Sequence, residues 1–435
     1  MARDAMGYAL SALNHLAGSG VLDRLGVRRT AENISYYLSR SSFSAISTSA
    51  RQFRNLNPLK RPQRLQAPGE TRDLFDLNIT DEQRMIRESV QEFAREVLRE
   101  RGEPADTEQS IAPGTLEQAS ELGLTLFAVP EALGGAATER SPVTSMLVAE
   151  DLAHGDMGQA IAILAPVSVA NALTQWGSAH QQGTYLVEFA GDHPPVATIA
   201  VSEPAPLFDP LRPACTASRR GDHYVLKGTK SLVPLAAQAE LFLVAAMTED
   251  GPGVFIVEGG SQGLGVEADF AMGVRAGGQG RVTLDGVTVP VANRLGAGDF
   301  DYRAFVDLGT LAWCSLAIGT SQAMLDYVIP YANERTAFGE PISHRQGVAF
   351  LISDMAIELD AMRMLTWRAV CRAEQGLPFR REAHLARTLV KDKAMGIGTN
   401  GVQVLGGHGY THEYPVERWY RDLRATGIAF GGLHL

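Results

Sequence analysis

A change of period along the chain constrains this sequence more than any other feature. Beyond Asp301, apolar residues recur every three to four positions in three stretches, near Tyr302–Glu334, Gln346–Gln375 and Phe379–Leu405. Each is far too long for a strand, and several such stretches with short connections pack as an antiparallel bundle. Between about Pro195 and Val289 the pattern is different. Val196–Val201, Tyr224–Lys227, Leu241–Met247, Val254–Val257, Gly280–Leu284 and Val287–Val289 are short, β-rich and bounded by Gly, Pro or Asp. Their close spacing predicts a barrel or sandwich rather than a parallel sheet. Ahead of them the helical period returns. Thr80, with Gln83 three residues later, reads as a capping box opening a helix that runs to about Leu98. Further helices are predicted over Thr115–Leu122, Ser141–Ala153 and Gln159–Gln175, the last carrying Pro166. The expected fold is α+β and multidomain. Residues 77–190 form a helical domain, 191–299 a β-barrel or sandwich domain and 300–435 a four-helix bundle domain.

Residues 1–76 are set apart as a basic amino-terminal extension and linker. The first seventy residues hold ten Arg/Lys against four Asp/Glu, and Pro58, Pro62, Pro68 and Gly69 mark the linker. With the serine run Ser42–Ser49, this looks like a mitochondrial transit peptide. Against that, 34 of the 39 basic residues of the whole chain are arginine, a bias common in GC-rich bacterial genomes. The reading adopted is a cytoplasmic bacterial protein with an arm carrying Leu10, Leu13 and Leu16 on one helical face, the mitochondrial matrix being the alternative. A net charge of −10 argues against nucleic acid as a partner. No run of eighteen apolar residues appears. Cys215, Cys314 and Cys371 are too scattered for a metal site or a disulfide framework.

Two segments carry groups suited to a dinucleotide. Arg335, in the run Glu334-Arg335-Thr336-Ala337-Phe338-Gly339, is a permanent planar cation fit for a diphosphate. In Gln403-Val404-Leu405-Gly406-Gly407-His408-Gly409-Tyr410, three glycines let backbone amides approach a ligand without a Cβ in the way. Phe338 and Gln346 offer an apolar wall and a hydrogen bond. Taken singly, Arg335 reads as a surface ion pair with Glu334 or Glu340, and the glycines as a turn between helices. Together they resemble the E-R-x-x-F-G…Q and Q-x-x-G-G-x-G-Y/F elements of the acyl-CoA dehydrogenases. Arg421-Asp422, Ala200-Val201-Ser202-Glu203-Pro204 and the run Gly123–Gly135 extend the resemblance over roughly residues 77–431. It implies an FAD flavoprotein acting on an acyl thioester of CoA or acyl-carrier protein, removing the α-proton while hydride leaves for flavin N5. It also implies cofactor contacts at Ser202, Arg335, Phe338, Gln346, Gln403, Gly406 and Gly407. Ser202 would meet the isoalloxazine ring and the rest the adenosine diphosphate half, across the interface of a homodimer or homotetramer. An electron-transfer flavoprotein is one partner the resemblance allows; the sequence itself does not identify the electron acceptor.

The sequence departs from the family where the chemistry lies. The family's catalytic glutamate position, counted from Arg421-Asp422, falls on Phe430, and its alternative position on the first bundle helix falls on Gly309. Asp307 is two residues from that second position, some 200° around a helix. Thr310 stands where many members have an arginine. Leu232 replaces the tryptophan behind the flavin ring, Pro234 replaces a threonine donor, and Ala205–Asp209 replaces a G-A-G-S-D loop. His344, His408 and His412 read as loop histidines rather than as bases. The catalytic residue is therefore unassigned. Two readings remain: an acyl-thioester desaturase, and a catalytically silent FAD-binding subunit of a hetero-oligomer.

Overall fold

The computed structural model describes residues 75–435, except Asp192 and Ala297. The amphipathic arm and most of the linker expected over residues 1–76 lie outside the described residues.

The capping box opens the first helix as expected: Thr80 Oγ1 accepts from Gln83 N, and Gln83 Oε1 accepts from Thr80 N. This helix, α1 (Asp81–Phe93), does not stop near Leu98. A π-helical turn at Ala94–Leu98 carries it into α2 (Arg99–Glu108), with Pro104 inside. The turn buries Ala94 and Leu98, and tertiary packing outweighs the weak periodicity beyond them. α3 (Thr115–Glu121), α4 (Pro142–Gly155, capped by Ser141), α5 (Met157–Trp176) and α6 (Ala179–Thr184) complete the helical region. Pro166 sits within α5 without ending it.

A seven-stranded curled sheet follows: β1 (Ala197–Ala200), β2 (Thr216–Arg220), β3 (His223–Val233), β4 (Leu241–Thr248), β5 (Gly251–Glu258), β6 (Leu264–Ala268) and β7 (Gly280–Pro290). It is mixed rather than wholly antiparallel, since β1 pairs parallel with β4. The two short segments read over Gly280–Val289 are one strand, β7. Strands β2 and β6 escape the sequence pattern because β2 is mostly exposed and β6 has no buried residue.

Helix α7 (Tyr302–Glu334) then enters the core. A two-residue hairpin, β8 (Thr336–Ala337) and β9 (Glu340–Pro341), leads to α8 (Gln346–Glu374), α9 (Arg380–Leu405) and a short α10 (Val416–Ala425). These four helices form the expected bundle. α5 and α7 are apolar and long enough to cross a membrane, yet 83% and 94% of their most apolar windows are buried inside the protein. α7 packs on α4, α8 and α9, so one hydrophobic core runs from the first helices into the bundle.

Candidate functional site

The two motif segments meet at the end of α7. Tyr331 lies one turn before Arg335, and its hydroxyl is 2.8 Å from His408 Nδ1 in the glycine loop. The His408 ring also stacks on Tyr414, centroids 4.7 Å apart. Arg335 is exposed and has no ion pair among the described residues. Glu340, its sequence-based competitor, instead pairs with Arg345 at 3.0 Å and with His344 at 3.5 Å.

Backbone shape explains the residue types here. Phe338 (φ 56°) and Gly339 (φ 88°) form the tight turn of the β8–β9 hairpin, holding the Phe338 ring 97% exposed. A bulky residue in the left-handed region is strained, and such strain concentrates at functional positions. Gly406 (φ 60°, ψ −127°) ends α9 in a conformation that suits glycine alone, and around both Gly406 and Gly407 the space is open. Gly409 is glycine for another reason: a Cβ there would sit 2.4 Å from the Val402 carbonyl. Gln346 and Gln403 are exposed near the starts and ends of α8 and α9. The group of exposed cation, amides, aromatic ring and carboxamides is suited to an adenosine diphosphate, with little of it committed to the chain's own fold.

The opposite end of the site is filled by the chain itself. Ser202 Oγ accepts from Phe430 N at 2.8 Å and donates to Phe430 O at 2.7 Å. Gly432 N donates to Ile199 O, and Trp313 Nε1 to Gly431 O at 2.8 Å. Two left-handed glycines permit this approach. A Cβ on Gly431 would lie 2.6 Å from Val201 Cβ, and one on Gly432 2.8 Å from Pro234 Cγ. The Phe430 ring lies edge-to-face with Phe208 and 3.9 Å beneath the Arg387 guanidinium. Arg387 also donates to Ala429 O, while its Nη1 is buried without a partner.

Of the two positions where the resemblance expects a glutamate, Phe430 and Gly309, neither carries a carboxylate. At Gly309 a Cβ would meet the Leu433 carbonyl at 2.8 Å, leaving no room for any side chain. Asp307, as its helical angle implies, turns aside: its carboxylate pairs with Arg303 at 3.3 Å. Burial pushes the Asp307 carboxyl above the usual carboxylate range, against the opposing pull of Arg303 and Arg380.

Sequence reading missed two features of this end. The fully buried Lys230 donates to Glu203 Oε1 at 2.7 Å and to Val201 O at 3.1 Å, fixing the residues on either side of Ser202. A lysine in an apolar strand of a chain with only five lysines was its one signal. Burial raises the Glu203 carboxyl, but Lys230 and the Ala214 and Cys215 amides outweigh it, so the net shift is downward. The second is the left-handed conformation of Leu232, held at φ 54° with its N–H on Asp269 Oδ2 at 3.0 Å. It borders a cavity of about 70 Å³ shared with Gln279 and Trp313.

Comparison with known proteins agrees with this architecture. Family models of the acyl-CoA dehydrogenase N-terminal, middle and C-terminal domains match residues 80–192, 198–287 and 303–433. The chain belongs to the acyl-CoA dehydrogenase family. FAD is its cofactor, and its class is that of oxidoreductases acting on CH–CH groups. The mitochondrial short-chain specific acyl-CoA dehydrogenase of Mus musculus is 30% identical over 371 residues, 82% of this chain and 88% of that protein. The probable acyl-CoA dehydrogenase YngJ of Bacillus subtilis is 31% identical, covering 82% and 96%. Among solved structures, butyryl-CoA dehydrogenase from Megasphaera elsdenii superposes with a TM-score of 0.75 at 29% identity, over 81% of this chain and 95% of that one.

The residues present fit FAD unevenly. Arg335, the hairpin and the glycine loop suit its diphosphate half, while at the end expected to meet the ring the Ser202 hydroxyl is engaged by Phe430 and neither Leu232 nor Pro234 offers a side-chain hydrogen bond.

Proposed function

We propose that this chain is an FAD-binding oxidoreductase of acyl thioesters, with α,β-desaturation as its reaction and an acyl-CoA or acyl-carrier-protein thioester as its substrate. The observation that carries this reading is the exposed, unpaired Arg335 joined to the glycine loop through Tyr331 and His408. Arg335 would hold the diphosphate with the Gly406 and Gly407 amides beside it, and Phe338, Gln346 and Gln403 would flank the adenosine. Phe338 projects away from its own subunit, which supports a site completed across a homodimer or homotetramer interface. Bound FAD supplies the hydride acceptor, and an electron-transfer flavoprotein is the proposed re-oxidant. The arginine bias of the chain supports the cytoplasm as its compartment.

A second reading follows from Phe430 and Gly309, neither of which accepts a proton. In it the chain is a catalytically silent FAD-binding subunit that pairs with an active paralogue. One experiment separates the two. The purified protein is expected to be yellow, and anaerobic addition of a panel of acyl-CoAs bleaches the flavin if the chain desaturates them. Absent bleaching, with activity restored on co-expression of a neighbouring homologue, selects the silent-subunit reading. A colourless preparation that takes up no added FAD removes both.

A further inference from the structure

The Arg421-Asp422 pair on α10 does more than close the bundle. It grips the loop before β7 at three consecutive residues. Arg421 Nη1 donates to Met272 O at 3.0 Å, and Asp422 Oδ1 accepts from Val274 N at 2.5 Å. Between them Gly273 lies so close that a Cβ would sit 2.2 Å from Arg421 O. Val274 is held at φ 51°, ψ 31°, a left-handed conformation that a β-branched residue adopts only when its surroundings impose it. The strained residue forms one wall of the 70 Å³ cavity, with Leu232 and Gln279 also lining it. Gln279 Oε1 is buried there without a hydrogen-bond partner.

We propose that Asp422 is a positioning residue: its carboxyl oxygen holds Val274 in the left-handed conformation and so shapes the cavity beside Leu232, the wall against which the ring end of FAD would lie. This rests on the flavin reading above.

The charged groups around Asp422 add a second property. On its own helix Arg418 bonds Asp156, the N-cap of α5, at 3.2 Å, and Arg421 holds Asp106 of α2 at 2.7 Å. Arg275 reaches Asp106 at 3.8 Å from the clasped loop, and Arg99 of α2 acts on the same Arg418–Asp156 pair. Two fully buried carboxyls, Asp156 and Asp422, thus share one buried guanidinium. Burial first, and Asp156 second, push the Asp422 carboxyl up to about 7. A carboxylic acid still has a carbonyl oxygen to accept from Val274 N–H, so the clasp tolerates either form. With the folded value raised, protonation favours the folded state. Its contribution is complete below the ordinary carboxylate value and disappears as pH rises through about 7.

Asp422→Asn keeps an acceptor and removes the charge, whereas Asp422→Ala removes both. FAD titration of the full chain, followed by visible absorbance, and thermal melts from pH 5 to 8 are the measurements. Asp422→Asn is expected to bind FAD within about twofold of wild type, with the wild-type spectrum, while its melting temperature loses the decline toward pH 8. Asp422→Ala is expected to bind FAD roughly tenfold more weakly, with a shifted flavin spectrum. Adding Val274→Gly to it restores the spectrum, because glycine needs no clasp to stay left-handed. An Asp422→Ala protein with wild-type affinity and spectrum and only a lower melting temperature would overturn the proposal, as would failure of Val274→Gly to rescue. If Asp422→Ala does not fold, a changed spectrum in the folded Asp422→Asn protein overturns it as well. Failure of the wild-type chain itself to take up FAD overturns the flavin reading instead, and this proposal with it.

Discussion

The two ends of the site are built on opposite plans. Around Arg335 and Gly406–Gly407 the groups are exposed and make few contacts with their own chain. Around Phe430 the main groups are engaged internally: the Ser202 hydroxyl by the Phe430 backbone, the Trp313 N–H by Gly431, the Arg387 face by the Phe430 ring. An end that keeps its groups free is one whose partner comes from outside. An end that satisfies them internally gains rigidity and leaves less for a ligand. Under the proposed function, binding of the nucleotide half and chemistry at the ring are separable in this chain.

The separation is tested most severely by Phe430→Glu. A positioned base contributes on the order of 10²–10⁴-fold, so acyl-CoA bleaching of the flavin should appear or accelerate by that order. The new carboxylate would lie against Arg387, where a charge-assisted pair keeps it ionised near neutral pH. Unchanged bleaching would show that residue 430 is not where the reaction lacks its base.

Lys230→Ala tests how rigid the filled end is. Removing one partner of a buried pair costs about 3–5 kcal/mol, because the other charge stays buried and uncompensated. Urea denaturation should report that loss. The depressed Glu203 carboxyl gives the wild-type protein stability that is complete above the ordinary glutamate value and disappears as pH falls through the lower folded value. Lys230→Ala should flatten that acid-side decline. A variant that still loses stability as steeply in acid would exclude the pair as its source.

At the free end, Arg335→Ala should weaken FAD by the worth of hydrogen bonds to a charged group, about 1.5–3 kcal/mol or roughly ten- to hundredfold in Kd. The stability of the protein without FAD should not change, since Arg335 has no ion pair among the described residues to lose. A destabilised apoprotein with unaltered FAD affinity would assign Arg335 to the fold.

The same contrast governs how much could be read from the sequence. The helix–sheet–helix order follows from period alone, because α7, α8 and α9 are long enough for their apolar faces to repeat many times. The reading of Arg335 and the glycine loop could be made from sequence because a cation and glycines at fixed spacing act through charge and backbone shape, which residue types encode directly. Strand β6 was not, since it buries nothing and leaves no alternation to see. Helix α10 hid for a different reason: in its ten residues, charged side chains such as Arg418 and Asp422 point inward to distant partners. Counting from Arg421-Asp422 puts Phe430 at the family's base position, a reading that rests on the resemblance alone. That Gly309 has no room for a side chain, and that Ser202 is clasped to Phe430, depend on residues more than one hundred positions away and become visible only in the folded chain.

The smallest expected effect bears most directly on the comparison. Ser202 was read as a ring contact, whereas its hydroxyl here both donates to and accepts from Phe430. If that clasp is its main work, Ser202→Ala should cost about 1–2 kcal/mol in the apoprotein, the net worth of one or two part-buried hydrogen bonds. The flavin spectrum of the reconstituted protein should then change little. If the hydroxyl swings to the ring when FAD binds, apoprotein stability falls by the same amount, but the variant also loses part of the stabilisation that FAD gives to wild type. Melting curves at several FAD concentrations separate the outcomes, because ligand stabilisation depends on Kd and the clasp does not. A variant that also loses part of the FAD-dependent stabilisation would return Ser202 to the free end of the site and narrow the filled end to Phe430 and its neighbours.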